Sequence, residues 1–338
     1  MLFQKEILMK LQQLRFLVEI EKQGLSISVA AHALCTSQSG ISKQIRLLEE
    51  ELEIDLFERN GRKLTAITPA GAKILKLSTE VLNKVEDIKM ASEEFTDTPK
   101  SIVIATTHTQ ARYVLPVIVE QFLSLYPEIN LNIQEGNPEQ VSALLEQGEV
   151  DIAIATEVLA SRDALVALPC YQWSRSIITP RQHPLVTKGS LTLEDIIEYP
   201  IITYVHGFTG RYKQDEIFNK HNLQPNIVLS AVDADVIKTY VRLELGIGII
   251  ADMAFSAELD NDLVAMSAQH LFGITTSLIA IKKDRYIKPY VYPFIEMFAP
   301  HLTQSLIKQA IDCPDLEARQ ELFSTVSIPM HRLDSPHI

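Results

Sequence analysis

The side chains that could bind a ligand or catalyse a reaction are concentrated in residues 106–112, which read TTHTQAR and directly follow the apolar run IVIA. His108 has the side chain of a general base, whereas threonine hydroxyls and a glutamine amide donate hydrogen bonds that suit a small oxyanion. The sequence contains no Gly-x-Ser-x-Gly nucleophile elbow and no His, Cys and Glu set at metal-ligand spacing. We therefore favour binding over catalysis and predict no catalytic residue, no metal and no cofactor.

Three polar segments of this kind fall between a predicted strand and a predicted helix. They are residues 106–110, Thr156 at the end of VDIAIAT, and residues 206–211, which read HGFTGR. Ligands of two-lobed α/β proteins lie at such strand ends, where hydroxyls and backbone amides bind an oxyanion without a full positive charge. The alternative is that these hydroxyls only cap helices and that Arg112 and Arg211 form surface salt bridges.

The body of the chain, residues 96–300, alternates strand and helix patterns as parallel α/β sheets do. In a first unit we predict strands at 101–105, 129–135 and 150–156 and helices at 113–126 and 138–148. In a second unit we predict strands at 176–180, 201–205, 226–232 and 247–250 and helices at 193–199, after Gly210, and at 234–246. Residues 275–281 and 290–300 are expected to return to the first unit, which gives two lobes joined by two crossings.

The composition is that of a globular protein, with 338 residues, 46% of them hydrophobic and 22% charged. No apolar run reaches the roughly 18–20 residues that cross a bilayer, and residues 1–9 lack a signal-peptide pattern. Cys35, Cys170 and Cys313 lie far apart, which argues against a disulfide framework and fits a reducing compartment. We expect a cytoplasmic protein without a membrane partner.

The net charge of −12 is unevenly distributed along the chain. Residues 1–70 contain nine lysines and arginines and nine acidic residues, so this head is neutral and the remainder carries the acidic excess. A neutral head can still bind DNA if its cations share one face.

The pattern of residues 10–68 predicts three short helices and a hairpin. The helices lie at 10–22, 26–35 and 38–53, and the hairpin turns at Asn60 and Gly61. This order is typical of a winged helix-turn-helix, in which the start of the third helix reads the major groove. Arg59, Arg62 and Lys63 would lie at the tip of the wing and touch the DNA backbone or minor groove. The alternative is a small helical domain with a solvated charged face.

A single long helix is predicted over residues 69–95, with Pro69 near its start. Its apolar residues form one narrow stripe, made of Ile74, Leu77, Val81, Val85 and Ile88. A lone helix of this kind must bury its stripe against a partner, so we predict dimerisation through it. Packing against its own chain is the alternative.

The head resembles the LysR-type transcriptional regulators in the stretches AAHALCTSQSGISKQIRLLEEELEIDLFER and LTAITPAG. An alanine-rich helix, the SQ-x-x-IS-KQI-x-x-LE motif, LF-x-R and a T-x-AG-like motif follow one another in the order of that family. Ser39 departs from the pattern, since many members have proline there. The resemblance implies that the start of the third helix and the LF-x-R arginine contact DNA, at Ser37, Gln38, Ser42, Lys43, Arg46 and Arg59.

Beyond the head, the chain is similar to the subgroup of cysteine-regulon activators and their sulfonate-utilisation paralogues. The matching stretches include IATTHTQARYVLP, DIAIATE, LPCY-x-W-x-RSI, YPIITY-x-x-GFTGR and FAPHLT. The resemblance implies an α/β fold with an N-terminal winged helix-turn-helix and a two-lobed effector domain like the periplasmic solute-binding proteins. It also implies a homotetramer and a pocket for a sulfate-like anion or acetylserine, lined by Thr107, Thr109, Gln110, Thr156, Trp173 and Thr209.

Five segments are therefore predicted. They are a lead (1–9), a winged helix-turn-helix (10–68), a dimerisation helix (69–95), a two-lobed effector domain (96–300) and a tail (301–338). The tail contains Pro314, Pro329 and Pro336, and its composition predicts one short helix with loose ends.

The predicted function is that of a cytoplasmic transcription regulator, mainly an activator of sulfate assimilation and cysteine biosynthesis genes. Its predicted partners are promoter DNA, an effector such as acetylserine, sulfate or thiosulfate, further copies of itself, and RNA polymerase. Within the family, the alternative is an activator of sulfonate or taurine utilisation. A solute-binding protein is disfavoured by the DNA-binding head and the missing export signal, and a hydrolase by the missing catalytic set.

Overall fold

The computed structural model describes residues 9–61, 63–96, 98–208 and 210–331. The chain divides into two compact units, Met1–Asp97 and Thr98–Ile338. Most of the predicted lead, Arg62 and Thr209 lie outside the described residues, as does the end of the tail. Within the described ranges, no helix is long and apolar enough to cross a membrane.

The first unit contains the predicted helices and hairpin. Its elements are α1 (Leu11–Lys22), α2 (Ile27–Ala33), α3 (Gln38–Leu52), the antiparallel strands β1 (Phe57–Asn60) and β2 (Lys63–Ile67), and α4 (Pro69–Glu93). The apolar stripe of α3 is the centre of the core, with Ile41, Ile45 and Leu48 at most 1% exposed. The helical spacing of the apolar residues therefore correctly predicted which face of α3 is buried.

The apolar residues of α4 do not form one stripe with one partner. Ile74 and Leu82 pack against the core of the first unit. Leu77, Val81 and Ile88 remain 55%, 42% and 70% exposed. Packing within the chain, the alternative interpretation, is therefore observed for one side of α4, and dimerisation through the exposed side stays a prediction.

The second unit contains ten strands and ten α-helices in its described residues. The strands are β3 (Lys100–Thr106), β4 (Ile129–Glu135), β5 (Ile152–Ala155), β6 (Leu165–Trp173), β7 (Arg175–Pro180), β8 (Ile201–Tyr204), β9 (Ile227–Ala231), β10 (Ile247–Ala251), β11 (Leu263–Ser267) and β12 (Thr275–Lys282). The helices are α5 (His108–Tyr113), α6 (Leu115–Leu125), α7 (Pro138–Gln147), α8 (Leu193–Ile197), α9 (Arg211–Lys220), α10 (Ala234–Arg242), α11 (Gln269–Phe272), α12 (Val291–Phe298), α13 (Gln304–Asp312) and α14 (Leu316–Ser324).

Two five-stranded sheets define the predicted lobes. The first lobe has the strand order β4-β3-β5-β12-β6 and the second has β11-β7-β10-β8-β9. In the first lobe β3 is parallel to β4 and β5, and β12 returns antiparallel to β5 and β6. The chain crosses between lobes at Ser174, between β6 and β7, and again between α11 and β12. The predicted two-lobed α/β architecture is therefore confirmed, although β6 and β11 were not predicted.

The tail differs from its prediction of one short helix and loose ends. It forms both α13 and α14, which bury Ile307, Ala310 and Phe323 in the first-lobe core. The backbone amide of Gln172 then donates to the Pro329 carbonyl at 2.8 Å, and the His331 amide donates to the Gln172 carbonyl at 2.7 Å. The tail thereby covers β6, which would otherwise be an unpaired sheet edge.

The close approach of α4 to Leu56, the residue before β1, gives a first prediction. A Cβ on Gly71 would lie 2.1 Å from the Leu56 carbonyl oxygen, which is backbone and cannot rotate away. We expect Gly71→Ala to destabilise the first unit by about 1–3 kcal/mol, as other overpacked sites do. Faster hydrogen exchange of the α1 and α3 amides would report the loss.

The matched control is Gly189→Ala in the second lobe, where a Cβ meets no atom within 4 Å. It should leave exchange of the first unit unchanged. Protected α1 and α3 amides in Gly71→Ala would contradict the inferred collision.

Candidate functional site

The start of α3 presents polar side chains along one face. Ser37 caps the helix, since its hydroxyl accepts a hydrogen bond from the Gly40 amide at 3.1 Å. Gln38, Ser42 and Arg46 follow at four-residue spacing and therefore share a face. Ser37 is thus engaged in starting the helix, whereas the other three can reach a partner.

These side chains line an open groove of about 650 Å³ between α3, the turn before α2 and the wing. Gln38, Ser42, Arg46 and Arg59 all contribute to its surface. Lys43 is exposed on α3 but does not line it. The groove therefore brings together four of the six residues predicted to contact DNA.

Arg59 lies in β1, beside the hairpin turn and not at its tip, and it has an additional contact that the sequence did not indicate. Its guanidinium donates to both carboxylate oxygens of Glu49, at 3.2 and 2.6 Å. Glu49 is only 7% exposed and also accepts from the Leu56 amide at 2.9 Å. A buried carboxylate that loses its cation is costly, so Arg59 fixes the wing on α3 in addition to any contact with DNA.

In the first lobe of the second unit, β3, β5 and β6 end, and β12 begins, along the same edge of the sheet, the edge formed by strand ends. Thr106 is in register with Ile154 on the parallel strand β5, and Trp173 at the end of β6 is in register with Thr275 at the start of β12. Thr107 and Thr156 follow β3 and β5 directly. The predicted ligand-binding residues of the first lobe therefore converge on one edge.

The facing edge belongs to the second lobe. Arg175 begins β7 and is in register with Ala251 at the end of the antiparallel strand β10. The Tyr204 hydroxyl, at the end of β8, accepts from the Ala251 amide at 3.3 Å and is hydrogen-bonded to Thr109 of the first lobe. Burial raises the pKa of Tyr204, so it stays neutral. The crevice between the lobes is consequently lined by polar groups from both.

The alternative of simple helix caps does not account for the first polar segment. Thr107 occupies the N-cap position of α5, yet its hydroxyl makes no capping hydrogen bond. Thr107, Thr109 and Thr156 are at most 7% exposed. Buried hydroxyls at an inter-lobe crevice are better explained by a ligand than by helix initiation.

The side chain of Gln110 is hydrogen-bonded to two strands of the first lobe. Its amide nitrogen donates to the Ser277 hydroxyl at 3.1 Å, and its carbonyl oxygen accepts from the Tyr171 hydroxyl. Burial raises the pKa of Tyr171, which keeps this donor protonated. Gln110 therefore anchors α5 to the floor of the crevice, which the prediction of a direct ligand contact did not include.

Two donors at the ends of first-lobe strands lack protein partners. Trp173 is 1% exposed and Thr106 is fully buried. Among the residues that the structure describes, neither the Trp173 indole Nε1 nor the Thr106 hydroxyl has a hydrogen-bond partner. An unpaired buried donor costs about 1–3 kcal/mol, so a ligand that accepted from the Trp173 indole would offset that cost. Thr106 was not among the predicted residues, although it belongs to the TTHTQAR stretch.

Arg175 is the principal residue that sequence reasoning missed. It is 1% exposed, and its guanidinium carbon lies 5.2 Å from the centre of the Trp173 ring. Burial lowers its pKa, because the charged form loses hydration. The available signal was that this arginine begins the stretch RSII, a short, mainly apolar strand in which a charged side chain is not expected.

The remaining charged candidates point elsewhere. His108 bonds through Nδ1 to Glu135, the last residue of β4, at 2.6 Å. Arg112 forms the expected salt bridge with Asp235 at 3.2 Å. Arg211 is paired with Asp215 at 2.7 Å but is only 5% exposed, so its interpretation as a surface residue was wrong. Thr209, predicted to bind the ligand, lies outside the described residues.

Comparison with known proteins identifies the family to which both units belong. The family described as "Bacterial regulatory helix-turn-helix protein, lysR family" matches residues 11–72, and "LysR substrate binding domain" matches residues 97–303. The chain therefore belongs to the LysR family of bacterial transcriptional regulators.

Its similarity within that family is to the CysB and Cbl regulators. It is 47% identical to the HTH-type transcriptional regulator CysB of Haemophilus influenzae, over 95% of this chain and 99% of that protein. It is 43% identical to the regulator SsuR of Burkholderia cenocepacia, over 90% of this chain and all of that protein. The solved cofactor-binding domain of the Cbl regulator is 40% identical, with a TM-score of 0.60, covering 64% of this chain and 96% of that one.

The groove on the first unit gives a prediction about DNA. Ser42→Ala and Gln38→Ala should change the preferred sequence, with about 1–3 kcal/mol of discrimination lost per base contact. Arg59→Ala should instead weaken binding to every duplex and flatten its salt dependence, because a phosphate contact carries no base information. Titration of target and scrambled duplexes at several salt concentrations measures both effects.

The control separates charge from wing position. Glu49→Gln disrupts the pair that holds the wing but leaves the Arg59 cation, so it should keep the wild-type salt slope. If Arg59→Ala also has that slope, Arg59 acts only by positioning the wing and the predicted phosphate contact is wrong.

Proposed function

We propose that this regulator activates genes of sulfate assimilation and cysteine biosynthesis in the cytoplasm, and that a small effector bound between its lobes controls it. The similarity to CysB supports the choice of genes. The similarity to SsuR and Cbl favours a second candidate, the control of sulfonate or taurine utilisation. Promoter DNA and RNA polymerase are its proposed macromolecular partners.

The observation that carries effector binding is the unpaired indole N–H of Trp173 beside the buried threonines. A sulfate, thiosulfate or carboxylate oxygen would accept from that donor. Thr107, Thr109 and Thr156 are proposed to complete the site, because each hydroxyl can donate one hydrogen bond and still accept from the protein. Thr209 is included from the family resemblance, and Gln110 holds α5 in place through its bonds to Tyr171 and Ser277.

A second copy of the chain is the proposed partner of α4. The exposed apolar residues Leu77, Val81 and Ile88 recur at spacings of four and seven, as a helix that pairs with another helix requires. A tetramer built from such dimers is the proposed assembly.

The effector site is tested by Thr107→Val, which keeps the side-chain shape and removes the donor. Hydrogen bonds to charged groups contribute roughly 1.5–3 kcal/mol, so affinity should fall about 10- to 100-fold. Stability should be unchanged, because the Thr107 hydroxyl makes no capping bond. Calorimetric titration of sulfate, thiosulfate and acetylserine gives the affinities, and footprinting on sulfate-assimilation and sulfonate promoters distinguishes the two gene sets.

Two controls accompany that titration. Thr179→Val makes the same change at a fully buried residue of the second lobe and should bind like wild type. His108→Ala should also bind normally, since its ring is held by Glu135. Wild-type affinity of Thr107→Val for all three compounds would show that the effector does not bind at this segment.

Dimerisation is tested by Val81→Asp combined with Ile88→Asp. These side chains are exposed in the single chain, so folding should persist, whereas burying like charges at a symmetric seam is costly. Sedimentation should show a smaller assembly, and promoter binding should weaken.

The control variant, Thr79→Asp with Asn83→Asp, adds the same charge on the opposite side of α4 and should retain the assembly. An unchanged mass for the Val81 and Ile88 variant would mean that copies associate through another surface.

A further inference from the structure

We propose that Arg175 supplies the positive charge by which the crevice selects doubly charged oxyanions, and that it links their binding to the arrangement of the two lobes. This inference rests on the proposed effector site and adds a charged residue to it. It accounts for a buried guanidinium at a place where hydroxyl groups alone were expected.

The position of Arg175 connects the lobes. It follows Ser174, where the chain crosses from β6 to β7. Its Nη1 lies 3.5 Å from the hydroxyl of Thr275 in the first lobe, and its Nη2 donates to the Gly210 carbonyl of the second lobe at 2.9 Å. A movement of one lobe against the other must therefore change the surroundings of this guanidinium.

The orientation of the side chain is fixed by its neighbours. The Trp173 ring packs against the guanidinium on one side. On another, Gly210 has a φ of +64°, and a Cβ there would lie 2.3 Å from Arg175 Nη2. Any larger residue at 210 would displace the arginine, so the glycine leaves the space that the guanidinium occupies.

The charge of Arg175 is retained in this buried site, because an arginine does not deprotonate in proteins. The charges of Glu157 and Asp252 raise its pKa and so oppose the effect of burial, and Asp252 also accepts from the amide and hydroxyl of Ser174 at 3.0 Å each. A bound anion would add attraction at low local dielectric, where charges interact far more strongly than in water.

The chemical class of ligand follows from this charge. A guanidinium presents a planar fork that suits two oxygens of one tetrahedral anion. The Trp173 indole and the threonine hydroxyls supply neutral donors for the remaining oxygens. Sulfate and thiosulfate carry two negative charges, whereas the carboxylate of acetylserine carries one, so loss of Arg175 should affect the dianions more.

The test uses the fluorescence of Trp173, the single tryptophan of the chain, as a reporter in the site itself. Full-length protein is titrated with sodium sulfate, sodium thiosulfate and acetylserine at constant ionic strength set by sodium chloride. Arg175→Gln should weaken both dianions about 30- to 100-fold and acetylserine less than about 10-fold, the range for lost charged hydrogen bonds. Arg175→Lys should keep the preference for dianions at reduced affinity.

The matched control is Arg319→Gln. Arg319 is also buried, at 7% exposure, and donates to the Ala310 and Leu165 carbonyls at 3.1 and 3.4 Å, away from the crevice. Its variant should bind all three compounds like wild type. Circular dichroism establishes that each variant is folded.

The outcomes separate this inference from the proposed effector site. If wild type binds none of the three compounds, both are wrong. If wild type binds and Arg175→Gln loses no affinity, or loses the same factor for all three, only the charge selection is wrong. Should Arg175→Gln fail to fold, Arg175→Lys decides: a folded lysine variant without a preference for dianions overturns the proposal.

Discussion

A buried hydrogen-bond donor needs an acceptor, and among the described residues the Trp173 indole N–H, beside the crossing between the lobes, has no partner in the protein. The ends of β3, β5 and β6 carry Thr107, Thr156 and Trp173 to one edge, and β7 brings Arg175 to the opposite side. Both sheets, the two crossings and the anchoring of Gln110 serve to hold these groups in place. Such preorganisation would lower the cost of binding the proposed anion, because the donors need not reorganise.

Buried polar groups also need partners in the DNA-binding unit, but there the protein itself supplies them. Glu49 is buried, but its carboxylate is fully engaged by Arg59 and the Leu56 amide. This pair joins α3 to the wing, so the groove lined by Gln38 and Ser42 has a defined shape before DNA binds. Polar groups that are satisfied within the protein build the scaffold here, whereas the proposed effector site relies on a buried donor, the Trp173 indole, that has no protein partner among the described residues.

The sequence predicted what depends on local periodicity. The stripe of α3 at Ile41 and Ile45 and the strand–helix alternation of the lobes follow from side-chain spacing. Arg175 was missed because its burial comes from the meeting of two lobes, which no local pattern encodes. The sequence predicted too little structure in the tail for a related reason. The pairing of Met330 with Gln172 depends on an edge strand about 160 residues earlier.

The most direct measurement is a crystal structure of the full chain grown with selenate, a tetrahedral dianion like sulfate whose selenium is located by anomalous scattering. The account predicts one selenium site between the lobes, with a selenate oxygen about 3 Å from the Trp173 indole nitrogen, the usual hydrogen-bond distance. It also predicts that another oxygen faces the Arg175 guanidinium. Selenium bound elsewhere, with Trp173 donating to a protein group or an ordered water, would contradict it.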